Sequence, residues 1–168
     1  VTFPDARLHD RLRTFFAHAG QRGLDADFHV DETGDPEAAS LRVIAETGLE
    51  TGFDAPVTVG HCCSLAVQPD AEWLHTLDLV ARAGIHVVSL PMCNLYLQDR
   101  QAGRTPRWRG VTLVHEMAAR GINVSFASDN TRDPFYAYGD LDMLEVMREA
   151  TRIAHLDHSR ADWPRAFL

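Results

Sequence analysis

Two histidines and two acids stand where short apolar runs of the sequence end. His29 and His61 each close such a run, Glu32 follows His29 by three residues, and Asp129 comes directly after the last run. Imidazole nitrogens and carboxylate oxygens are ligands for metals such as Zn²⁺ and Fe²⁺, and a glutamate outside the ligand set can carry a proton. A single histidine at a strand end is more often a hydrogen-bonded structural residue. Because the pattern recurs along the chain, we predict a site for one divalent metal, Zn or Fe(II).

The apolar runs alternate with stretches of helical period. Runs that begin near residues 26, 57, 85 and 122 read as strands, and a first helix precedes them. This order predicts an α/β fold with four parallel strands that are buried on both faces. The polar residues named above then share the carboxyl edge of the sheet, where parallel α/β barrels build their active sites.

Two local features of the chain carry more specific expectations. Asp35-Pro36-Glu37 has the composition of a helix start, with an acceptor, a proline and an acid in order. Pro91 should end the third strand, and the loop of about twenty residues after it is long enough to suggest a functional segment. Four arginines and Trp108 lie in that loop, which we interpret as solvated and salt-bridged rather than as an anion clamp.

Composition excludes several classes of function. The chain has 168 residues and a net charge of -8, which argues against a nucleic-acid partner. It has no run of about 18 apolar residues that could span a membrane. Three cysteines without a Cys-x-x-Cys pair indicate reduced thiols, so we expect a cytoplasmic protein. The chain begins without methionine or a signal peptide, and we expect it to be processed or incomplete.

Three motifs and two longer segments resemble the cytosine deaminase family of the amidohydrolase superfamily. The motifs are Phe28-His29-Val30-Asp31-Glu32, Val57-Thr58-Val59-Gly60-His61 and Phe126-Ala127-Ser128-Asp129-Asn130, and the segments are residues 91–100 and 109–117. The resemblance covers about residues 8 to 154. It implies that residues 1–168 are a single-domain fragment, the C-terminal half of a TIM-type (β/α)8 barrel with strands five to eight.

The same resemblance implies a role for individual residues. His29 and Asp129 would bind the metal, and Asp129 would also take a proton from the attacking water. Glu32 would carry the proton to the ring nitrogen of the substrate, and His61 would polarise the water. Phe135 would stack near the substrate ring, at a position where the family often has tryptophan. The activity implied is the metal-dependent hydrolytic deamination of a nitrogen heterocycle with release of ammonia.

Substrate contacts are less sharply indicated. Asn94 and Gln98 could read polar atoms of the substrate, although polar loop residues are as often solvated. Asn130 stands where cytosine deaminases usually carry a second aspartate, and an amide donates as well as accepts hydrogen bonds. Cytosine, triazines, pterins, isoguanine and creatinine therefore all remain candidate substrates.

Half a barrel cannot work alone. Strands one to four and their His-x-His metal ligands are absent from the sequence, and a four-stranded half leaves two sheet edges unpaired. We expect the missing N-terminal half on the same or another chain, and a homo-oligomer. The alternative is a non-catalytic half-barrel that binds or assembles with a partner chain. A phosphate-binding barrel enzyme is less favoured, because no glycine-rich phosphate loop follows the last strand.

Overall fold

A computed structural model of the chain describes Val1 and residues 3–158. Within those residues, strands and helices follow one another in the predicted order. The strands are β1 (Ala26–Val30), β2 (Val57–His61), β3 (His86–Ser89) and β4 (Val124–Phe126). The helices are α1 (Leu8–Gln21), α2 (Ser40–Thr51), α3 (Asp70–Arg82), α4 (Pro91–Leu97), α5 (Val114–Ala118) and α6 (Met143–Ala154), and a 3-10 turn covers Cys63–Val67.

The four strands form one parallel sheet in the order β1-β2-β3-β4. Val30 pairs with His61, Gly60 pairs with Val88, and Ser89 pairs with Phe126. The register brings the carboxyl ends of all four strands to one edge. These observations confirm the predicted α/β class with parallel strands that alternate with helices.

The main core lies between the sheet and the helices that precede β1, β2 and β3. Its largest fully buried side chains include Phe16 on α1, Ile44 on α2 and Leu77 on α3. A second cluster packs α4 and α6 against β4, with Phe126 and Val146 among its members. In both clusters the helices pack against the same face of the sheet.

The opposite face of β1 is open. Ala26 and Val30 are buried, whereas Asp27 and His29 between them are exposed. Successive strand residues point to opposite faces of a sheet, so the exposed pair marks the face away from the helices. The prediction of a sheet buried on both faces is therefore wrong for β1 in this chain.

The predicted helix start, with Asp35 as the cap and Pro36 as the first helical residue, is wrong by four residues. Helix α2 begins at Ser40, because the carboxylate of Asp31 accepts hydrogen bonds from the backbone N–H groups of Ser40 at 3.0 Å and Leu41 at 2.9 Å. Asp35 instead accepts from the N–H of Glu37 at 2.9 Å within a short turn. A helix cap supplied from nine residues upstream cannot be recognised from local composition.

The loop expected after Pro91 begins with a helix. Pro91 occupies the first turn of α4, where its fixed φ and missing N–H are tolerated. The residue read as a strand stop is therefore also a helix start. Beyond α4, Arg104 pairs with Asp99 as expected of a salt-bridged loop. Asp99 also accepts from the backbone N–H of Arg107 at 2.6 Å.

None of the described helices has the length and hydropathy that crossing a membrane requires. Val1 lies beside the outer edge of β1, where its carbonyl accepts a hydrogen bond from the N–H of Asp31 at 3.0 Å.

Candidate active site

Glu32, His61 and Asp129 converge at the carboxyl edge of the sheet. Glu32 follows β1, His61 ends β2 and Asp129 follows β4, and one potential ligand atom from each side chain lies within 4.8 Å of the others. The backbone turns sharply on leaving these strands, with φ of 50° at Asp31, 73° at His61 and 67° at Asp129. Non-glycine residues seldom adopt this left-handed conformation, and they cluster at functional sites when they do.

Asp129 carries a carboxylate oxygen without a partner. Its Oδ2 is buried and accepts no hydrogen bond from any described residue. Burying an uncompensated carboxylate oxygen is costly, and a divalent cation near Asp129, Glu32 and His61 would offset that cost. Carboxylate oxygens together with imidazole nitrogens suit Zn²⁺ or Fe²⁺. The residues present therefore fit a metal.

The two predicted histidines are in direct contact. Nδ1 of His29 and Nε2 of His61 lie 2.9 Å apart. His61 is 2% exposed, and burial lowers its pKa, which favours the neutral imidazole. His29 lies on the open face of β1 and outside the cluster of Glu32, His61 and Asp129. The role of His29 as a metal ligand stays a prediction. One hydrogen bond joins His29 to His61 beside the cluster.

Glu32 has the electrostatics of a proton carrier. Burial, and then the nearby charge of Asp129, raise the pKa of its carboxyl above the ordinary value, while His29 and a hydrogen bond from Asn94 oppose the rise. A raised pKa brings a carboxyl closer to the operating pH, where general acid–base transfer is most effective. The side chain is 29% exposed, so it is open to a bound molecule.

Helix α4 and the residue that follows it contribute two polar side chains beside the cluster. Asn94 is buried, and its Nδ2 lies 3.0 Å from Oε1 of Glu32 and 3.0 Å from Nδ1 of His61. Nε2 of Gln98 donates to the backbone carbonyl of Glu32 at 3.3 Å. The sequence suggested that both residues could read polar atoms of the substrate. The contacts found within the chain are with Glu32 and His61, and contact with a substrate stays a prediction.

Comparison with known proteins identifies the family. Residues 2–167 match the profile of the amidohydrolase family. The chain belongs to the amidohydrolase family. This finding confirms the resemblance expected from the motifs at the strand ends.

Individual relatives of this amidohydrolase chain are similar over most of its length. A pterin deaminase of Rhizobium rhizogenes is 61% identical over 154 residues, which are 92% of this chain and 34% of the relative. An N-isopropylammelide isopropyl amidohydrolase of Pseudomonas sp. is 28% identical over 131 residues, 77% of this chain and 29% of that protein. The chain thus spans about a third of the length of the curated relatives it matches.

Solved structures agree with the fold. The crystal structure of 5-methylcytosine deaminase from Klebsiella pneumoniae, liganded with 5-fluorocytosine, superposes with a TM-score of 0.79 at 31% identity. The match covers 95% of this chain and 41% of the solved chain. The predicted fold, a part of a TIM-type barrel, is confirmed, and the numbering of β1–β4 as strands five to eight stays a prediction.

Asn130 and Phe135 lie on the loop that follows β4 of the amidohydrolase chain. The amide of Asn130 is used within the protein: Nδ2 donates to Asp133 and Oδ1 accepts from the thiol of Cys93 at 3.3 Å. Phe135 is 62% exposed, so its ring is available for stacking. Contact of either residue with a substrate stays a prediction.

Asp31 is the residue that sequence reasoning left without a role. Its carboxylate is buried and caps α2 through the two backbone hydrogen bonds described above, and its carbonyl accepts from Ser64 at 3.2 Å. These contacts fix the loop that carries Glu32. The only signal in the sequence was an acid close to a helix, which many loops share.

We predict that the titration of Asp31 is visible in stability. Burial raises the pKa of Asp31 from 3.8 to about 6 because it favours the protonated carboxyl. The contribution of this shift to the free energy of unfolding is fully present below pH 3.8 and is lost as the pH rises through about 6. Replacement by asparagine removes the titration. When the pH is lowered from about 7 to about 5, the free energy of unfolding of wild type should rise by about 1 kcal/mol relative to that of Asp31→Asn.

The measurement is denaturant unfolding of both proteins across this pH range, with Asp10→Asn on the exposed side of α1 as the matched substitution. A difference between wild type and Asp31→Asn that stays constant, or that favours the variant at low pH, would contradict the assignment.

Proposed function

We propose that the protein containing this chain is a metal-dependent deaminase that removes an exocyclic amino group from a nitrogen heterocycle. The observation that carries the proposal is the buried, unpaired Oδ2 of Asp129 beside Glu32 and His61. A binding or assembly module has no need for a desolvated carboxylate next to a protonatable glutamate. The proposed chemistry uses both.

The metal would be held by His29 and Asp129 together with ligands from the rest of the barrel, and His61 and Glu32 lie next to that position. When bound there, Zn²⁺ or Fe²⁺ would supply hydroxide at neutral pH by lowering the pKa of water towards about 7. The geometry of Glu32, His61 and Asp129 supports a divalent cation at this place. It does not distinguish Zn²⁺ from Fe²⁺.

The side chains of this chain divide the proton transfers. Asp129 takes a proton from the attacking water, and His61, which contacts His29 at 2.9 Å, orients the imidazole that would hold the metal. Glu32 protonates the ring nitrogen, which makes the amino-bearing carbon open to attack. The ionised Glu32 then takes the proton of the hydroxyl that has added to this carbon and passes it to the departing amine, and the proton held by Asp129 returns Glu32 to its acid form. The C–N bond breaks, a C=O bond forms, and ammonia leaves.

Among substrates, we propose a pterin. The 61% identity to a pterin deaminase covers 92% of this chain. Asn130, held by Asp133 and Cys93, replaces the aspartate expected for cytosine, and the exposed ring of Phe135 is available to stack on a bicyclic heterocycle.

The partner that we propose is the segment that completes the barrel, because the matched relatives extend well beyond this chain. The open face of β1, with Asp27 and His29 exposed, would then face the barrel interior. A homo-oligomer and a cytoplasmic location are part of the same proposal, and the buried free cysteines suit a reducing compartment.

The test is ammonia release by the complete enzyme, which here means this chain together with the segment that completes its barrel. Pterin, isoguanine, cytosine and an aminotriazine are offered at equal concentration. We expect ammonia from pterin, with a kcat/KM that exceeds the others by at least about tenfold. Tight binding without ammonia from any of the four would favour the non-catalytic half-barrel instead.

A further inference from the structure

The amide of Asn94 lies between two of the proposed catalytic residues. Asn94 is 1% exposed and sits in α4, where its backbone N–H donates to the carbonyl of Leu90 at 3.0 Å. Gly110 packs closely enough that a Cβ there would meet the side chains of Gln98 at 2.4 Å and Asn94 at 3.4 Å. The side chain therefore has little freedom to turn toward another partner.

The orientation of this amide follows from its neighbours. Oε1 of Glu32 is an acceptor when the carboxyl is ionised, so the group 3.0 Å away must be the Nδ2 donor. If the amide were reversed, Oδ1 of Asn94 would face Oε1 of Glu32, and both atoms are acceptors. The second hydrogen on Nδ2 then points to Nδ1 of His61, also at 3.0 Å, whereas Glu32 and His61 are 3.5 Å apart directly.

This contact determines where His61 carries its proton. Nδ1 accepts from Asn94, so the neutral ring is protonated on Nε2. Nε2 lies 2.9 Å from Nδ1 of His29, which accepts that hydrogen in turn. Nε2 of His29 is then the ring nitrogen left for another partner. One buried amide thus sets the hydrogen bonding of three side chains.

We propose that Asn94 is a positioning residue that holds the carboxylate of Glu32 and fixes the Nε2-protonated tautomer of His61. The proposal rests on the function proposed above, and it assigns to Asn94 a role other than substrate contact. Without the amide, Glu32 and His61 face each other with no donor between them, and His61 is free to adopt either tautomer.

The test uses Asn94→Asp, which keeps the shape and removes the donor, and Asn94→Leu, which removes all hydrogen bonding. Asn123→Asp is the matched control, since Asn123 is exposed, precedes β4 and contacts His86 at 3.3 Å, away from the site. All proteins are complete enzymes, measured for kcat, KM, bound metal and the long-range ¹⁵N–¹H spectrum of the imidazole rings.

We expect kcat to fall by about 10- to 100-fold in both Asn94 variants, as for other residues that orient a metal site. KM should change by less than about threefold. Bound metal should stay near wild type for Asn94→Asp, whereas its melting temperature should fall because a carboxylate is buried beside Glu32. The wild-type spectrum should show His61 protonated on Nε2 alone, and the variant spectra should show both tautomers. Asn123→Asp should match wild type throughout.

Three results would overturn the proposal: a raised KM with unchanged kcat, which would make Asn94 a substrate contact; a wild-type His61 protonated on Nδ1; or variants with wild-type kcat. If the wild-type enzyme releases no ammonia, the proposed function fails, and the ring spectrum still tests Asn94. If a variant does not fold, the wild-type spectrum alone tests the proposal: protonation of His61 on Nε2 supports it, and protonation on Nδ1 overturns it.

Discussion

Replacing Glu32 with glutamine should lower the rate of ammonia release by about 10² to 10⁴-fold, the usual contribution of a general acid–base residue. Glutamine fills the same space and can still accept from Asn94, but it has no proton to give to the ring nitrogen. Because Glu32 is assigned to proton transfer and not to the metal, the variant should bind metal in the same proportion as wild type. Steady-state kinetics and metal analysis of the same preparation measure both effects.

Glu37→Gln provides the control for this substitution, since Glu37 is exposed in the same loop between β1 and α2. It removes the same charge without touching the cluster and should leave the rate within about twofold of wild type. Full activity in Glu32→Gln would end the proton-transfer assignment. A loss of bound metal in that variant would instead make Glu32 a ligand, which its place in the cluster with His61 and Asp129 also permits.

Replacing Asp129 with alanine should remove most of the bound metal and reduce activity by a factor of at least about 10³, since the variant loses both a ligand and a proton acceptor. Its buried Oδ2 accepts no hydrogen bond from the described residues. The fold should survive, because the substitution removes an uncompensated buried oxygen. Metal content, activity and the melting temperature without metal are the measurements.

Asp140→Ala is the matched control, an exposed acid that lies on the loop between β4 and α6. It should keep metal and activity near wild-type values. An unchanged metal-to-protein ratio in Asp129→Ala would take Asp129 out of the ligand set. A variant that loses metal but keeps its deamination rate would contradict the use of a metal in the reaction.

The strands and their functional edge were predictable because both follow from short-range patterns. Four apolar runs separated by helical periods permit few arrangements other than a parallel sheet. In that sheet the residues at or just after the end of each run must share an edge. His29, His61 and Asp129 are among them. The match to the amidohydrolase family then agreed with what the motifs had indicated.

Contacts between distant residues were not predictable. The start of α2 depends on the carboxylate of Asp31 reaching Ser40 and Leu41, a cap that local composition conceals. Trp108 packs over Gly34 so closely that a Cβ there would lie 2.8 Å from the ring. Nothing in either segment indicates this contact, which places the arginine-containing loop against the loop that carries Glu32.

The same limit applies to chemistry within the site. Asn94 was identified as a polar residue near the right edge, but its role depends on which atom faces Glu32 and His61. A sequence gives the type of a side chain and its approximate place in the sheet. Amide orientation and imidazole tautomer depend on angles and distances that only the assembled site defines.

The central claim is that this site deaminates a heterocycle with the help of a divalent metal. The most direct test follows ammonia release from pterin by the complete enzyme while bound metal is removed with a chelator and restored with Zn²⁺ or Fe²⁺. We expect a rate that rises in proportion to bound metal, with one metal per active site and almost no ammonia from the metal-free protein. A metal-free enzyme that releases ammonia at the full rate would contradict it.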